Sequence, residues 1–325
     1  HVVGVAGRTE HEQILALYPA VDYIVCGEGE HTLLEIAEGH DPAQIRGLVY
    51  RDQSGIRKTP VRSPVANLDE LPFPAWHLVD LHRYPFMGQR IGERPGRGRQ
   101  RRQASVIFSR GCLGHCDFCS TWWIWERWRH RSPKNMVDEL ELLNRQHNMQ
   151  YFGFSDDLMT GDIPATIELC NLIIERGLQI SFTATTRTDC VNAELLERMK
   201  AAGCYSVGYG IETGSPEVLE RMGKDNAVEN SIRAIQLTRQ AGMKTTALII
   251  VGNRGETDDT IGATIDLLRK AKPDSVGCVG GLWVFPGTKI YRACKRDGII
   301  DDDFWLSDEP CMIYTSEHNL DDLRR

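Results

Sequence analysis

Six short apolar runs alternate with amphipathic stretches from residue 105 onward, and this alternation constrains the fold more than any other feature. The apolar runs predict strands. They are SVIFS (105–109), YFGFSD (151–156), ISFTATT (180–186), YSVGYGIE (205–212), KTTALIIVG (244–252) and SVGCVGGLWV (275–284). Apolar strands separated by helices are typical of an α/β fold with a parallel sheet. Six units are too few for a complete eight-stranded barrel, so we predict an open, partial (βα)6 TIM-like barrel, with a doubly wound sheet as the alternative.

The ends of the intervening helices carry recognisable signals. Side chains that cap helix starts are expected at Ser132, Asp162, Asn192 and Thr257. Glycines that accept a left-handed backbone are expected to end helices at Gly177, Gly203 and Gly242. The carboxyl ends of the strands then share one edge of the sheet, where ligands bind in both candidate folds.

The rest of the chain has a different pattern. Residues 1–60 read as strand, helix, strand, helix and hairpin, which are α/β pieces of a separate domain. Residues 61–104 carry prolines and the arginine-rich run RIGERPGRGRQRRQ, and we predict a linker there. The predicted barrel covers 105–290, and a C-terminal extension covers 291–325.

Ten cysteines and a net charge of −7 limit the class of protein. Seven cysteines are scattered, mostly in apolar runs, and these are typical of small buried side chains. This usage predicts a reducing, cytoplasmic environment and one metal site rather than a disulfide scaffold. The acidic balance argues against nucleic acid as a partner. The sequence contains no run of about 18 apolar residues, so a membrane span is not expected.

The other three cysteines, Cys112, Cys116 and Cys119, lie within the segment SRGCLGHCDFCS. Structural zinc needs four ligands, usually two separated C-x2-C pairs, and the second pair is missing, although His115 is an alternative fourth ligand. An iron–sulfur cluster fits this spacing better, because three thiolates hold three irons of a [4Fe–4S] cluster and leave the fourth iron open.

The array Cys112-x3-Cys116-x2-Cys119, with Phe118 directly before the third cysteine, resembles the signature of radical S-adenosylmethionine (SAM) enzymes. The resemblance implies that the three cysteines ligate the cluster and that Phe118 contributes to cofactor binding. It also implies that SAM chelates the open iron. One electron then cleaves SAM to a 5′-deoxyadenosyl radical, which abstracts hydrogen from a substrate. The partial barrel of this family agrees with the fold that the periodicity predicts.

Further segments are similar to a radical SAM subgroup with an N-terminal cobalamin-binding domain. They include RHRSPKNMVDEL (129–140), GFSDDLMTGD (153–162), VGNRGETDDTIGATI (251–265) and FPGTKIY (285–291). VDYIVCGEGEHTLLEIAEG and LDELPFPAW resemble the end of that Rossmann-like domain and its linker. Its upstream half and the cobalt-ligand motif D-x-H-x-x-G are not in the sequence, so we expect a truncated domain and leave cobalamin binding open.

Polar residues at the predicted strand ends are candidate SAM contacts. Asp156 and Asp157 end the second strand, where they would accept hydrogen bonds from SAM or a substrate, or else cap the next helix. Thr186 and Arg187 end the third strand; the hydroxyl suits ribose and the guanidinium suits a carboxylate, with a structural ion pair as the alternative for Arg187.

Two further candidates lie on the next strands. Glu212 ends the fourth strand, and its carboxylate would bind ribose hydroxyls or pair with Arg187. Gly252 ends the fifth strand, where a glycine lets the backbone approach a ligand closely or simply forms a turn.

The sequence therefore predicts a radical SAM enzyme that carries out cobalamin-associated methylation or another C–H functionalisation. The expected partners are a small-molecule or natural-product substrate and an electron donor such as flavodoxin or ferredoxin. One alternative is an RNA methylthiotransferase, for which a second cluster domain and a C-terminal RNA-binding domain would be expected, and neither is visible. The other alternative is a non-catalytic module that holds zinc or a passive cluster.

Overall fold

The structure is a computed structural model that describes residues 2–5, 11–83, 102–301, 312–313 and 317–318. The chain forms two compact units. The smaller unit contains His1–Ala66, Asp117–Arg127 and Trp283–Ile313, and the larger contains Asn67–Cys116, Trp128–Leu282 and Tyr314–Arg325. The bounds predicted for the four sequence segments remain predictions.

The smaller unit contains a four-stranded sheet in the order β1-β2-β3-β4. Its elements are β1 (Val2–Val5), α1 (His11–Leu17), β2 (Tyr23–Cys26), α2 (Glu30–Ala37), β3 (Leu48–Asp52) and β4 (Gly55–Lys58). β1 and β2 are parallel, whereas β3 and β4 form an antiparallel hairpin. Leu15, Ile24 and Val49 form part of its core. A short helix, α3 (Thr121–Trp125), follows the cysteine segment in the same unit.

The larger unit is built on six parallel strands that lie side by side in chain order. Its strands are β5 (Gln103–Val106), β6 (Ser109–Arg110), β7 (Arg129–His130), β8 (Tyr151–Phe154), β9 (Ser181–Thr186), β10 (Cys204–Glu212), β11 (Lys244–Val251) and β12 (Ser275–Gly280). β6 and β7 form a separate antiparallel pair. The order β5-β8-β9-β10-β11-β12 confirms the predicted open (βα)6 arrangement, because each crossover leads to the adjacent strand.

Helices connect the strands of this sheet. They are α4 (Pro133–Gln146), α5 (Ile163–Glu175), α6 (Ala193–Ala201), α7 (Pro216–Arg221), α8 (Val228–Gln240) and α9 (Asp258–Ala271). Beyond β12 come β13 (Leu282–Trp283), α10 (Lys289–Arg296) and β14 (Met312–Ile313). The hydrophobic core includes Leu140, Phe152, Leu169, Phe182 and Val207, all fully buried on helices and strands of the sheet.

The predicted helix ends are confirmed. Ser132, Asp162, Asn192 and Thr257 each accept a hydrogen bond from a backbone N–H in the first turn of the helix that follows. Gly177, Gly203 and Gly242 each follow a helix with a positive φ. These local signals fix where each strand ends, and therefore which residues lie at the carboxyl edge of the sheet.

Part of the segment predicted as a linker is packed against α4. The indole N–H of Trp76 donates to Glu139 at 2.9 Å, and the Arg131 guanidinium pairs with the same buried carboxylate. The Ser132 N–H donates to Asp69 at 2.8 Å. Residues 67–83 therefore belong to the larger unit, whereas residues 84–101, with most of the arginine-rich run, lie outside the described residues.

Within the described part of the chain, no helix is both long enough and apolar enough to cross a membrane.

Candidate active site

The cysteine segment follows β5 at the carboxyl edge of the sheet. Cys112 and Cys116 belong to the larger unit, whereas Phe118 and Cys119 belong to the segment of the smaller unit that begins at Asp117. None of the three cysteines is in a disulfide, and Cys116 is buried and the other two half-buried. Phe118 is half-buried. Cys119 follows Cys116 by three positions in the chain.

The start of the cysteine segment is fixed to the second strand of the sheet by Asp156. Its carboxylate accepts hydrogen bonds from the backbone N–H groups of Phe108 and Ser109 and from the Ser109 hydroxyl, the last at 2.6 Å. The Ser109 hydroxyl also lies 2.9 Å from the Leu158 carbonyl oxygen. Asp156 is 5% exposed and caps no helix, since Asp162 caps α5. It therefore holds the base of the loop, a role that neither sequence interpretation anticipated.

Asp156 should make the stability of the fold depend on pH. Burial raises the pKa of its carboxyl from 3.8 to about 6, although hydrogen bonds from Ser109 and Phe108 oppose this. A raised pKa means that the folded state holds this proton more tightly than the unfolded state. The contribution is fully present below pH 3.8 and is lost as the pH rises through about 6. We expect the free energy of unfolding to fall by about 3 kcal/mol over this range.

The test compares urea unfolding of the iron-free chain at about pH 4 and about pH 7. Asp156→Asn should remove most of the pH dependence, whereas Asp157→Asn, the same change at the exposed neighbour, should retain it. A wild-type pH dependence that persists in the Asp156→Asn variant would contradict the assignment.

Arg187, at the end of β9, lies beside the cysteine loop. Its Nε and Nη2 donate to the two carboxylate oxygens of Asp189 at 2.9 and 2.7 Å, and Nη2 also donates to the Asp225 carbonyl oxygen at 2.6 Å. Burial lowers the pKa of Arg187, but Asp189, Cys112 and Cys116 more than offset this, so the pKa is raised. The guanidinium is therefore a permanent cation next to two of the cysteines.

Glu212 pairs with Lys224 and not with Arg187. The Lys224 ammonium donates to the Glu212 carboxylate at 2.7 Å and to the Gly210 carbonyl oxygen at 2.8 Å, and both side chains are buried. Glu212 has a φ of 66°, which is unusual for a residue with a side chain, and it follows a register shift in β10. A strained, ion-paired carboxylate at a strand end is a feature that functional sites often have.

The remaining predicted residues lie at their expected strand ends with partners of their own. The Thr186 and Thr160 hydroxyls are 2.5 Å apart, and both residues are buried. The Gly252 N–H donates to the buried Glu256 carboxylate at 2.5 Å, and Gly252 has a φ of 99°. Asp157 is exposed at the end of β8. Their roles in binding SAM remain predictions.

Sequence reasoning missed Gly114, Asp189 and Lys224. Asp189 follows Arg187 by two residues, which is a weak local signal of a pair. Lys224 lies twelve residues beyond Glu212 and joins it only through the fold. Gly114 has no sequence signal apart from its position between two cysteines.

The donor set fits an iron–sulfur cluster. The three thiols form no disulfide, the Arg187 guanidinium lies beside the turn between the first two, and the Gly114 N–H donates to the Cys112 sulfur at 3.3 Å. Hydrogen bonds to the sulfurs are among the features that tune such clusters. In the described ranges, no three His, Cys, Asp or Glu side chains are placed to hold a single ion. The ligands of a cluster bind separate irons, so this observation does not conflict with the fit.

An open (βα)6 sheet with three clustered cysteines after its first strand defines the class of protein. Residues 106–268, half of the chain, match the Radical SAM superfamily, and the chain belongs to this family. Membership implies a [4Fe–4S] cluster and SAM as cofactors.

Two relatives illustrate the range of this class. The chain is 31% identical to an uncharacterized methyltransferase of Pyrococcus horikoshii, over 87% of this chain and 60% of the relative. It is 32% identical to the anaerobic magnesium-protoporphyrin IX monomethyl ester cyclase of Rubrivivax gelatinosus, over 83% of this chain and 49% of the relative. The chain therefore spans 49–60% of the length of these two relatives.

A solved structure has the same fold. The radical SAM methyltransferase TsrM of Kitasatospora setae, with tryptophan and a SAM analogue bound, matches with a TM-score of 0.71 and 24% identity. The match covers 91% of this chain and 58% of TsrM.

Proposed function

We propose that this chain is the catalytic part of an enzyme that reductively cleaves SAM at a [4Fe–4S] cluster. We further propose that it uses this chemistry for cobalamin-associated methylation, or for another C–H functionalisation, of a small organic molecule. The observation that carries the proposal is the trio of cysteines, none of them in a disulfide, that follows the first strand of an open (βα)6 sheet. The names of the relatives, a methyltransferase and a cyclase, support both outcomes.

Each group of residues has a part in this function. Cys112, Cys116 and Cys119 would hold the cluster, which supplies the electron that cleaves SAM when both are bound. The buried Asp156 fixes the backbone at Phe108 and Ser109, where the cysteine segment begins, and so helps to position Cys112. Asp157 is exposed whereas Asp156 is buried and bonded to Ser109 and Phe108, which makes Asp157 the better candidate of the two for a SAM contact.

The other strand ends complete the proposed cofactor site. Thr186, Arg187, Glu212 and Gly252 end neighbouring strands β9, β10 and β11 and are proposed to contact SAM, with Phe118 contributing beside the third cysteine. Among the described residues Nη1 of Arg187 donates to none, so one edge of the guanidinium is available to a carboxylate.

Cobalamin is proposed as a third cofactor, held with the help of the smaller unit. This rests on the parallel β1–β2 pair and the turn after β2, where Gly27 has a φ of 83°. The Glu28 carboxylate accepts a hydrogen bond from the Val65 N–H at 2.6 Å and so fixes this turn to the following segment. Residues 1–66 are proposed to be part of a larger Rossmann-like domain.

The proposed setting is a reducing cytoplasm, because eight of the ten cysteines, Cys26, Cys112, Cys116, Cys119, Cys170, Cys190, Cys204 and Cys294, form no disulfide. A small-molecule or natural-product substrate and a low-potential electron donor such as flavodoxin or ferredoxin are the proposed partners. The donor is needed because cleavage of SAM consumes one electron that the chain itself does not supply.

The deciding experiment is anaerobic reconstitution with iron and sulfide, followed by reduction in the presence of SAM. We expect about four irons per chain and release of 5′-deoxyadenosine. A sample without reductant is the control and should release none. If the cluster is intact and reducible but SAM stays uncleaved, the proposal is wrong.

A further inference from the structure

The Arg187 guanidinium is held in one orientation by the Asp189 carboxylate and the Asp225 carbonyl oxygen. Asp189 takes Nε and Nη2 in a bidentate pair, and the Asp225 carbonyl oxygen accepts a second hydrogen bond from Nη2. A planar fork bound at three points has little freedom to rotate. The third nitrogen, Nη1, donates to no described residue and is left facing away from Asp189.

The guanidinium faces the turn between the first two cysteines. A Cβ placed on Gly114 would lie 2.5 Å from Nη1 of Arg187 and 3.7 Å from the Cys112 sulfur. Gly114 does not have a positive φ, so its backbone conformation does not require glycine. The missing side chain instead leaves the space that the guanidinium occupies.

The ion pair presents its positive end to the cysteines. Nη1 of Arg187 lies against Gly114, which is two residues from Cys112 and two from Cys116 in the chain. Burial raises the pKa of Asp189, but Arg187, and more weakly Lys224, outweigh this effect, so the pKa is lowered and the carboxylate is ionised. Asp189 thus binds the Nε and Nη2 side of the guanidinium, whereas Nη1 is the nitrogen that lies against Gly114 in the cysteine loop.

We propose that Arg187 is a fixed positive charge that raises the reduction potential of the cluster, and that Asp189 is the positioning residue that holds it there. This inference rests on the proposed function. Reduction adds negative charge to the cluster, and a nearby cation stabilises the reduced form more than the oxidised form. Local charge and hydrogen bonds are established means by which proteins set cluster potentials.

The test is a potentiometric titration of the reconstituted cluster without SAM, followed by electron paramagnetic resonance. Arg187→Gln should lower the ratio of reduced to oxidised cluster about tenfold at a given potential, which is 59 mV for a one-electron couple. Arg187→Lys keeps the charge and should shift the ratio less. The matched control is Arg176→Gln, since Arg176 pairs with Asp138 and Glu141 at the far end of α5.

Asp189→Asn separates positioning from simple charge. Loss of a carboxylate by itself would raise the potential, whereas release of Arg187 from Asp189 lowers it. A lower potential supports the positioning role, and a higher one overturns it. If the shift in Arg187→Gln is no larger than that in Arg176→Gln, Arg187 does not set the potential. Iron and sulfide are counted first, so a wild-type chain that binds no cluster counts against the proposed function instead.

Discussion

Replacing Cys116 by alanine is expected to abolish cluster binding and SAM cleavage. Three thiolates are needed because each holds a separate iron, and Cys116 is the buried member of the trio. Loss of an outer-shell partner already costs about 10- to 100-fold in metal affinity or activity. Loss of a ligand is therefore expected to cost more than about 100-fold. Iron content, absorbance of the reconstituted sample and 5′-deoxyadenosine release measure the effect.

Cys170 provides a matched control for this substitution. It lies in α5, fully buried in the hydrophobic core, and burial raises the pKa of its thiol to about 12. A thiol that stays protonated at neutral pH is a poor metal ligand. Cys170→Ala should therefore bind as much iron as the wild type, at a modest loss of stability. A Cys116→Ala variant that retains a full complement of iron would show that Cys116 is not a ligand.

The elements of the larger unit could be predicted because their signals are local. An apolar run marks each strand, a capping side chain such as Asp162 starts a helix, and a glycine such as Gly177 ends one. Each of these depends on a few neighbouring residues. The chain order of the parallel strands then follows from the handedness and short length of βα connections.

The interactions within the site could not be predicted because they join residues distant in sequence. Asp156 bonds to backbone groups 47 and 48 positions earlier, and Trp76 bonds to Glu139 across 63 positions. A sequence shows that an acid ends a strand but not which donors the fold brings to it. The sequence alone predicts Asp156 as a ligand contact or a helix cap, and Glu212 as a ribose contact or a partner of Arg187. In the fold, Asp156 bonds to Ser109, and Glu212 pairs with Lys224 instead of Arg187.

Charged side chains at the carboxyl edge of the sheet are held in ion pairs. The Glu212 carboxylate is matched by a buried lysine, and the Arg187 guanidinium by a carboxylate held at two points. Breaking the buried Glu212–Lys224 pair would leave an uncompensated charge, which is costly. The edge is thus built from pairs whose members stay charged and fixed, and such an edge needs little reorganisation when a charged ligand binds.

Replacing Gly203 by alanine is expected to destabilise the larger unit severely. Gly203 joins α6 to β10 with a φ of 104°, and a Cβ there would lie 2.2 Å from the carbonyl oxygen of Ile180. The obstacle is backbone at the start of β9, so it cannot move aside as a side chain would. The Gly203 carbonyl oxygen also accepts a hydrogen bond from the Phe182 N–H, which ties the two strands together. We expect a loss of more than about 3 kcal/mol in the free energy of unfolding, placing this change among the most damaging single substitutions.

Gly177→Ala is the control that separates the clash with the Ile180 carbonyl oxygen from the cost of the left-handed backbone. Gly177 also follows a helix, with a φ of 64°, but a Cβ there would meet nothing within 4 Å. Its replacement should cost only the left-handed conformation, about 1–2 kcal/mol. Urea unfolding followed by far-ultraviolet circular dichroism measures both variants in the same buffer. Equal losses would mean that the backbone at Ile180 yields to the new methyl group, and that close approach does not explain why residue 203 is a glycine.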